Sequence, residues 1–155
     1  MPPFVGQAEA TIDAKQRLAI PAKHRAKINT DRDGKVWYCV PWERERVLRL
    51  YSEAEFSRLS QTSIAQTLMP GAGASDAETD LFGFSEDVEM DSNGRVRIPS
   101  WQLELLGLPN EVVVIGVGNR LEVRSRDEWN RSRIERFRRM SQMVEQTDQA
   151  RNAEG

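Results

Sequence analysis

The chain states one pattern twice. Residues 8–25 contain Ile12-Asp13-Ala14-Lys15-Gln16-Arg17-Leu18-Ala19-Ile20-Pro21, and residues 86–103 contain Met90-Asp91-Ser92-Asn93-Gly94-Arg95-Val96-Arg97-Ile98-Pro99. Both read apolar-Asp-x-x-x-Arg-apolar-x-Ile-Pro without a gap. Further on, Leu48 to Phe56 aligns with Leu121 to Trp129, each with alternating apolar residues, then Ser-x-x-Glu and an aromatic. The offset is 78 at the first match and 73 at the second, so the first copy carries five extra residues, expected in the Pro41–Arg46 stretch. A long period seen only twice indicates a duplicated small unit rather than a solenoid.

The second copy gives the local structure most clearly. Val88 and Met90 alternate with polar residues, as in a half-buried strand. Asp91 to Gly94 is a turn cluster in which Asn-Gly tolerates positive φ. Val96 and Ile98 resume the alternation, with Arg95 and Arg97 on the opposite face. Pro99 opens a short helix that Gly107 stops. Glu111 to Gly116 is an apolar strand that Gly118-Asn119 turns, Gly116-Val117-Gly118 also reads as a turn, and Leu121 and Val123 lie on the partner strand. Ser125 and Glu128 form a capping box for a helix at Trp129. The order β-β-α-β-β-α, repeated, predicts an α+β, mainly β fold. One copy of about 50 residues would be marginal alone. The two are therefore expected to pool their cores in one pseudo-symmetric, barrel-like body.

The expected organisation is a first unit over 4–60, a linker over 61–81, a second unit over 82–137 and a tail over 138–155. The Gly- and Ala-containing stretch to Ala74 reads as linker, with a short helix capped by Ser75 and running to Phe82. The tail is expected to be helical, to fray after Glu145 and to be disordered from Thr147 to Gly155. The chain opens without a basic start or an apolar run, so no secretory signal is expected. No stretch of about 18 apolar residues predicts a membrane span. Cys39 is the only cysteine, which suits a reducing cytosol.

Enzyme chemistry finds little support. His24 is the only histidine, and with Cys39 it supplies too few ligands for a metal site. No pattern supports a Cys-His nucleophile, and Gly116-Val117-Gly118 lacks the third glycine and helix of a dinucleotide loop. No catalytic residue, metal or cofactor is therefore expected. The four tryptophans do not alternate with bases, so they read as core or interface.

Net charge is −2, yet the charges are segregated. Residues 76–91 hold seven acids and no base, and residues 131–139 hold five arginines against Glu135. Lys15, Arg17, Lys23 and Arg25 gather around the first motif. The Asp-x-x-x-Arg motif has two readings. In one, Asp13 and Asp91 accept turn N–H bonds and pair with Arg17 and Arg95, a purely structural role. In the other, the arginines also face a phosphate backbone or a groove. The aspartates and Gly94 shape the loops under either reading.

At these residues the chain resembles the MraZ family of bacterial regulators. The likeness rests on Asp13 to Lys23, on Asp91 to Pro99, and on Val114-Ile115-Gly116-Val117-Gly118-Asn119-Arg120-Leu121-Glu122-Val123. It covers roughly residues 4–137. It implies tandem AbrB-like swapped-hairpin units, a ring-shaped homo-oligomer, and sequence-specific binding of double-stranded DNA at repeated promoter elements. It implies repression of a division and cell-wall gene cluster from a cytoplasmic, nucleoid-associated position. Together with local charge, it makes Lys15, Arg17, Lys23, Arg25, Arg95 and Arg97 the candidate DNA contacts. Two departures stand out: the usual glycine before the first arginine is Gln16, so that loop is expected to differ in shape, and Pro70–Ala74 is unusually rich in Gly and Ala. The competing function class is an interaction protein, either an AbrB-like antitoxin or a ring scaffold with weak DNA binding. A complete second unit and a short tail favour the regulator.

Overall fold

The computed structural model describes residues 2–64 and 71–154. The first copy gives β1 (Phe4–Thr11), β2 (Arg17–Ala19), α1 (Ala22–Arg25), α2 (Thr30–Asp33), β3 (Val36–Trp42), β4 (Val47–Ser52) and α3 (Glu53–Ile64). Then come α4 (Ala72–Phe84), β5 (Glu86–Glu89), β6 (Arg95–Arg97), α5 (Ser100–Leu106), β7 (Glu111–Gly118), β8 (Leu121–Ser125) and α6 (Arg126–Glu154).

The two units exchange their first strands. One antiparallel sheet runs β1-β7-β8-β4-β3-β5, and β2 pairs with β6 in a separate ribbon. β1 of the first unit therefore lies on β7 of the second, and β5 of the second on β3 of the first. Read from either end, the order interchanges the copies, so the repeat appears as pseudo-two-fold symmetry. The expected barrel does not form. β2 and β6 have three residues each and pair with one another, Ile12 and Leu18 form only an isolated bridge, and among the described residues no strand pairing closes edge strand β1 onto edge strand β5.

Alternation along the strands builds the core. Trp37, Cys39, Leu48, Leu50, Val112, Val114, Leu121 and Val123 are fully buried on one sheet face and cluster with Leu18 and Val96 from the ribbon. Across the sheet, Phe56 of α3 stacks on Tyr38 at 4.2 Å and meets Phe82 of α4 edge-on at 6.0 Å. Gly116 lies within β7 rather than in a turn; a Cβ there would stand 2.4 Å from the Val5 nitrogen of β1. The hairpin turn is the expected one at Gly118-Asn119, where Val117 N–H donates to the Arg120 carbonyl.

Helix boundaries depart from expectation in several places. Ser52 Oγ accepts from Glu55 N–H and Ser125 Oγ from Glu128 N–H, so both serine caps form, one turn before the aromatic. Residues 61–64 continue α3, and α4 begins at Ala72 with Gly71 at its N-cap, so Ser75 lies inside the helix rather than capping it. The rest of the expected linker, 65–70, lies outside the described residues. α6 runs unbroken to Glu154, past the expected fraying point. Its last turns are rich in Gln, Glu, Ala and Arg, which sustain a helix without a packed face. The five extra residues are not all in the β3–β4 turn. Trp37 pairs with Ser52 where Val112 pairs with Ser125, so the offset is already 75 at Trp37. Three of the five precede β3, where α2 has no counterpart, and two fall in the turn.

No helix among the described residues is long and apolar enough to cross a membrane.

Candidate nucleic-acid interface

The two motifs meet at the β2/β6 ribbon. Its register is Arg17 with Arg97, Leu18 with Val96 and Ala19 with Arg95. Successive side chains alternate faces, so Leu18 and Val96 fill the core while Arg17, Arg95 and Arg97 share the outer face. Arg17 and Arg95 are diagonal neighbours, a relation that sets Cα atoms roughly 7–8 Å apart.

Each ribbon strand is fed by an aspartate loop, and the two loops match bond for bond. Asp13 Oδ1 accepts from the N–H groups of Lys15 and Arg17, both at 2.9 Å, and Asp91 Oδ1 accepts from Asn93 and Arg95, both at 2.9 Å. Asp13 Oδ2 pairs with Arg17 Nε at 2.8 Å, and Asp91 Oδ2 with Arg95 Nε at 2.9 Å. Ile98 N–H donates to the Gln16 carbonyl and Ile20 N–H to the Gly94 carbonyl, both at 2.9 Å. Gln16 is not shaped differently from Gly94: their φ values are 65° and 74°. The surrounding hydrogen bonds hold a left-handed conformation that a side chain disfavours.

Electrostatics follow from these bonds. The Arg17 backbone N–H, first, and the Arg17 guanidinium hold the Asp13 carboxyl below the usual carboxylate range; Arg95 does the same to Asp91. Both loop aspartates therefore stay ionised at neutral pH and orient their arginines. The pairing uses only Nε. These bonds leave the Nη groups of Arg17 and Arg95 without an acceptor among the described residues. That edge of a guanidinium suits a phosphate or a guanine.

The remaining candidates divide. Arg97 and Lys15 are exposed, on the ribbon and on the first loop. Lys23 turns away, its stem passing over Gly6 of β1. Arg25 donates to the carbonyls of Asn93 and Ser92 in the second loop. Lys35, not singled out from the sequence, lines a groove of about 380 Å³ with Arg25, Asp91 and Ser92. It precedes β3 outside the repeated motif, so pattern matching could not find it.

His24 and Cys39 are both fully buried. His24 Nε2 lies 3.0 Å from the Val114 carbonyl, and the matching Gln102 Nε2 donates at 3.0 Å to the Cys39 carbonyl. Each short helix is thus tied to the other unit's central strand.

A model of the family described as "MraZ protein, putative antitoxin-like" matches residues 4–73 and 81–152, one match on each copy. The chain belongs to the MraZ family. Relatives named transcriptional regulator MraZ include that of Thioalkalivibrio sulfidiphilus, 28% identical over 92% of this chain and 93% of the relative. The MraZ of Halorhodospira halophila is 32% identical over 85% of this chain and 86% of its own. The MraZ of Legionella pneumophila (strain Corby) is 32% identical over 84% of each. These relatives are named as regulators, not as enzymes.

Proposed function

We propose that this chain is a DNA-binding transcriptional regulator that lays its β2/β6 ribbon in the major groove. The observation that carries the reading is the outer face of that ribbon, where three arginines stand over a buried Leu18–Val96 pair. A two-stranded ribbon fits the major groove, and arginine is the commonest reader of guanine there. Lys15 on the adjoining loop adds phosphate attraction. A net charge of −2 does not oppose this, because the charges are segregated: residues 76–91 hold seven acids and no base, while the outer face of the ribbon carries three arginines.

On the family resemblance, the target is repeated elements upstream of its own division and cell-wall cluster, the outcome is repression, and the place of action is the nucleoid. The working form is a ring. α6 exposes Ile134, Phe137, Met140, Met143 and Val144 on a helix flanked by arginines, while α4 carries Asp76, Glu78 and Asp80. Two complementary, non-identical faces meet head-to-tail, and such contacts close into rings. A gel shift with DNA from upstream of the chain's own gene tests the function; equal retention of scrambled DNA would overturn it. Light scattering tests the ring; a monomer at micromolar concentration would overturn that.

A further inference from the structure

The two loops agree in their aspartate and ribbon hydrogen bonds and differ in what lies behind them. The repeat sets Arg25, which ends α1, against Leu103 in α5. Arg25 Nη1 donates to the Asn93 carbonyl at 2.9 Å and Nη2 to the Ser92 carbonyl at 3.2 Å. Both acceptors sit at the tip of the second loop. Leucine has no donor, so the first loop has no such tie.

The tie also accounts for the glycine that one loop has and the other lacks. Both positions take left-handed backbone. A Cβ on Gly94 would stand 2.5 Å from Arg25 Nε and 2.6 Å from Cζ, so the guanidinium occupies the space a side chain would need. At the matching position, Gln16 lines an open groove of about 520 Å³ with Asp13, Ala14, Leu103 and Glu104. Side chain and guanidinium exclude one another: Gln16 goes with Leu103, and Gly94 goes with Arg25.

We infer that Arg25 is a positioning residue that latches the second loop in its DNA-reading shape, while the unlatched first loop adapts to the DNA. The inference rests on the DNA-binding reading above and assigns the two loops unequal parts in it. Ordering a loop before binding removes a cost that binding would otherwise bear. The latch needs a fork that spans two carbonyls, which arginine has and lysine lacks.

The test uses full-length protein with Arg25→Leu, Arg25→Lys, Gly94→Gln and the double variant Arg25→Leu/Gly94→Gln, each checked for size and melting. Without DNA, hydrogen exchange should quicken most in a peptide covering 90–97 in both Arg25 variants, less in 12–19, which pairs with it, and not in 47–52 of β4, the internal control. With DNA, both Arg25 variants should bind roughly tenfold more weakly at an unaltered salt slope. Gly94→Gln should weaken binding strongly alone and add little once Arg25 is Leu. Exchange unchanged over 90–97 overturns the latch whatever the DNA assay gives. Binding preserved by Arg25→Lys, with Arg25→Leu lowering the log–log salt slope by about 0.9, overturns it in favour of a plain phosphate contact. Additive losses in the double variant also overturn it. If wild type binds no DNA while exchange behaves as expected, the DNA reading fails and the latch stands.

Discussion

Replacing His24 tests the way the two units are joined. Its ring is fully buried, and its Nε2 reaches the Val114 carbonyl of the other unit. His24→Ala deletes that hydrogen bond and opens a cavity between α1 and β7. A buried carbonyl stripped of its donor costs about 1–3 kcal/mol, and the lost ring adds a cavity term, so the total should be about 3 kcal/mol. In a chain of this size that lowers Tm by roughly 6–12 °C. His24→Gln should cost less than about 1 kcal/mol, because Gln102 already makes the same bond to Cys39 in the second unit. The pH dependence has a definite sign. Burial, first, and nearby Lys23 and Lys27 lower the His24 pKa from 6.5, against the bond to Val114. The unfolded chain then binds the proton more readily than the folded one. Stability is full above about pH 6.5 and falls as pH drops through that value towards the folded pKa. The loop aspartates contribute only at lower pH, below their unfolded values near 3.8. Thermal melts at fixed protein concentration between pH 7.5 and 5 would show a slope in wild type that His24→Gln flattens. Equal Tm for the Ala and Gln variants, or the same slope in wild type and His24→Gln, would refute the reasoning.

Two further outcomes follow from the strand exchange and the core. Gly116→Ala should destabilise by about 3 kcal/mol or more, since its Cβ would collide with the backbone of Val5 and Phe4; a melt within 2 °C of wild type would contradict the close approach of β1 and β7. Cys39 is fully buried, and desolvation pushes its thiol up to about 12. It should resist thiol reagents until the protein unfolds, and Cys39→Ser should lower Tm yet leave DNA affinity within a few-fold; rapid native labelling would place it at the surface instead.

The repeat made the elements of each unit and the arginine face legible, because alternation around a turn is a local signal. Strand partners were not legible. β1 and β5 exchange between units, and nothing in Phe4–Thr11 distinguishes β7 from β3 as its neighbour. The barrel expectation failed on length, since β2 and β6 are too short to close a sheet. The end of α6 is not legible from polarity, because its last turns stay helical on propensity alone, without a packed face. Gln16 was expected to reshape its loop, but the Asp13 bonds and the Ile98 N–H impose the same backbone as Gly94. The Arg25 tie spans two units and has no counterpart in the other copy, so no repeat pattern could reveal it.

The measurement closest to the central claim is DNA binding by wild type, Arg17→Ala and Arg95→Ala across a salt series, with size checked in parallel. Both arginines lie on the outer face of the ribbon and keep free Nη groups. Each variant should keep the wild-type size, lose specific binding, and show a log–log salt slope reduced by about 0.9 for each phosphate contact removed. Wild-type affinity and slope in both variants would leave the ribbon as structure alone and contradict the account.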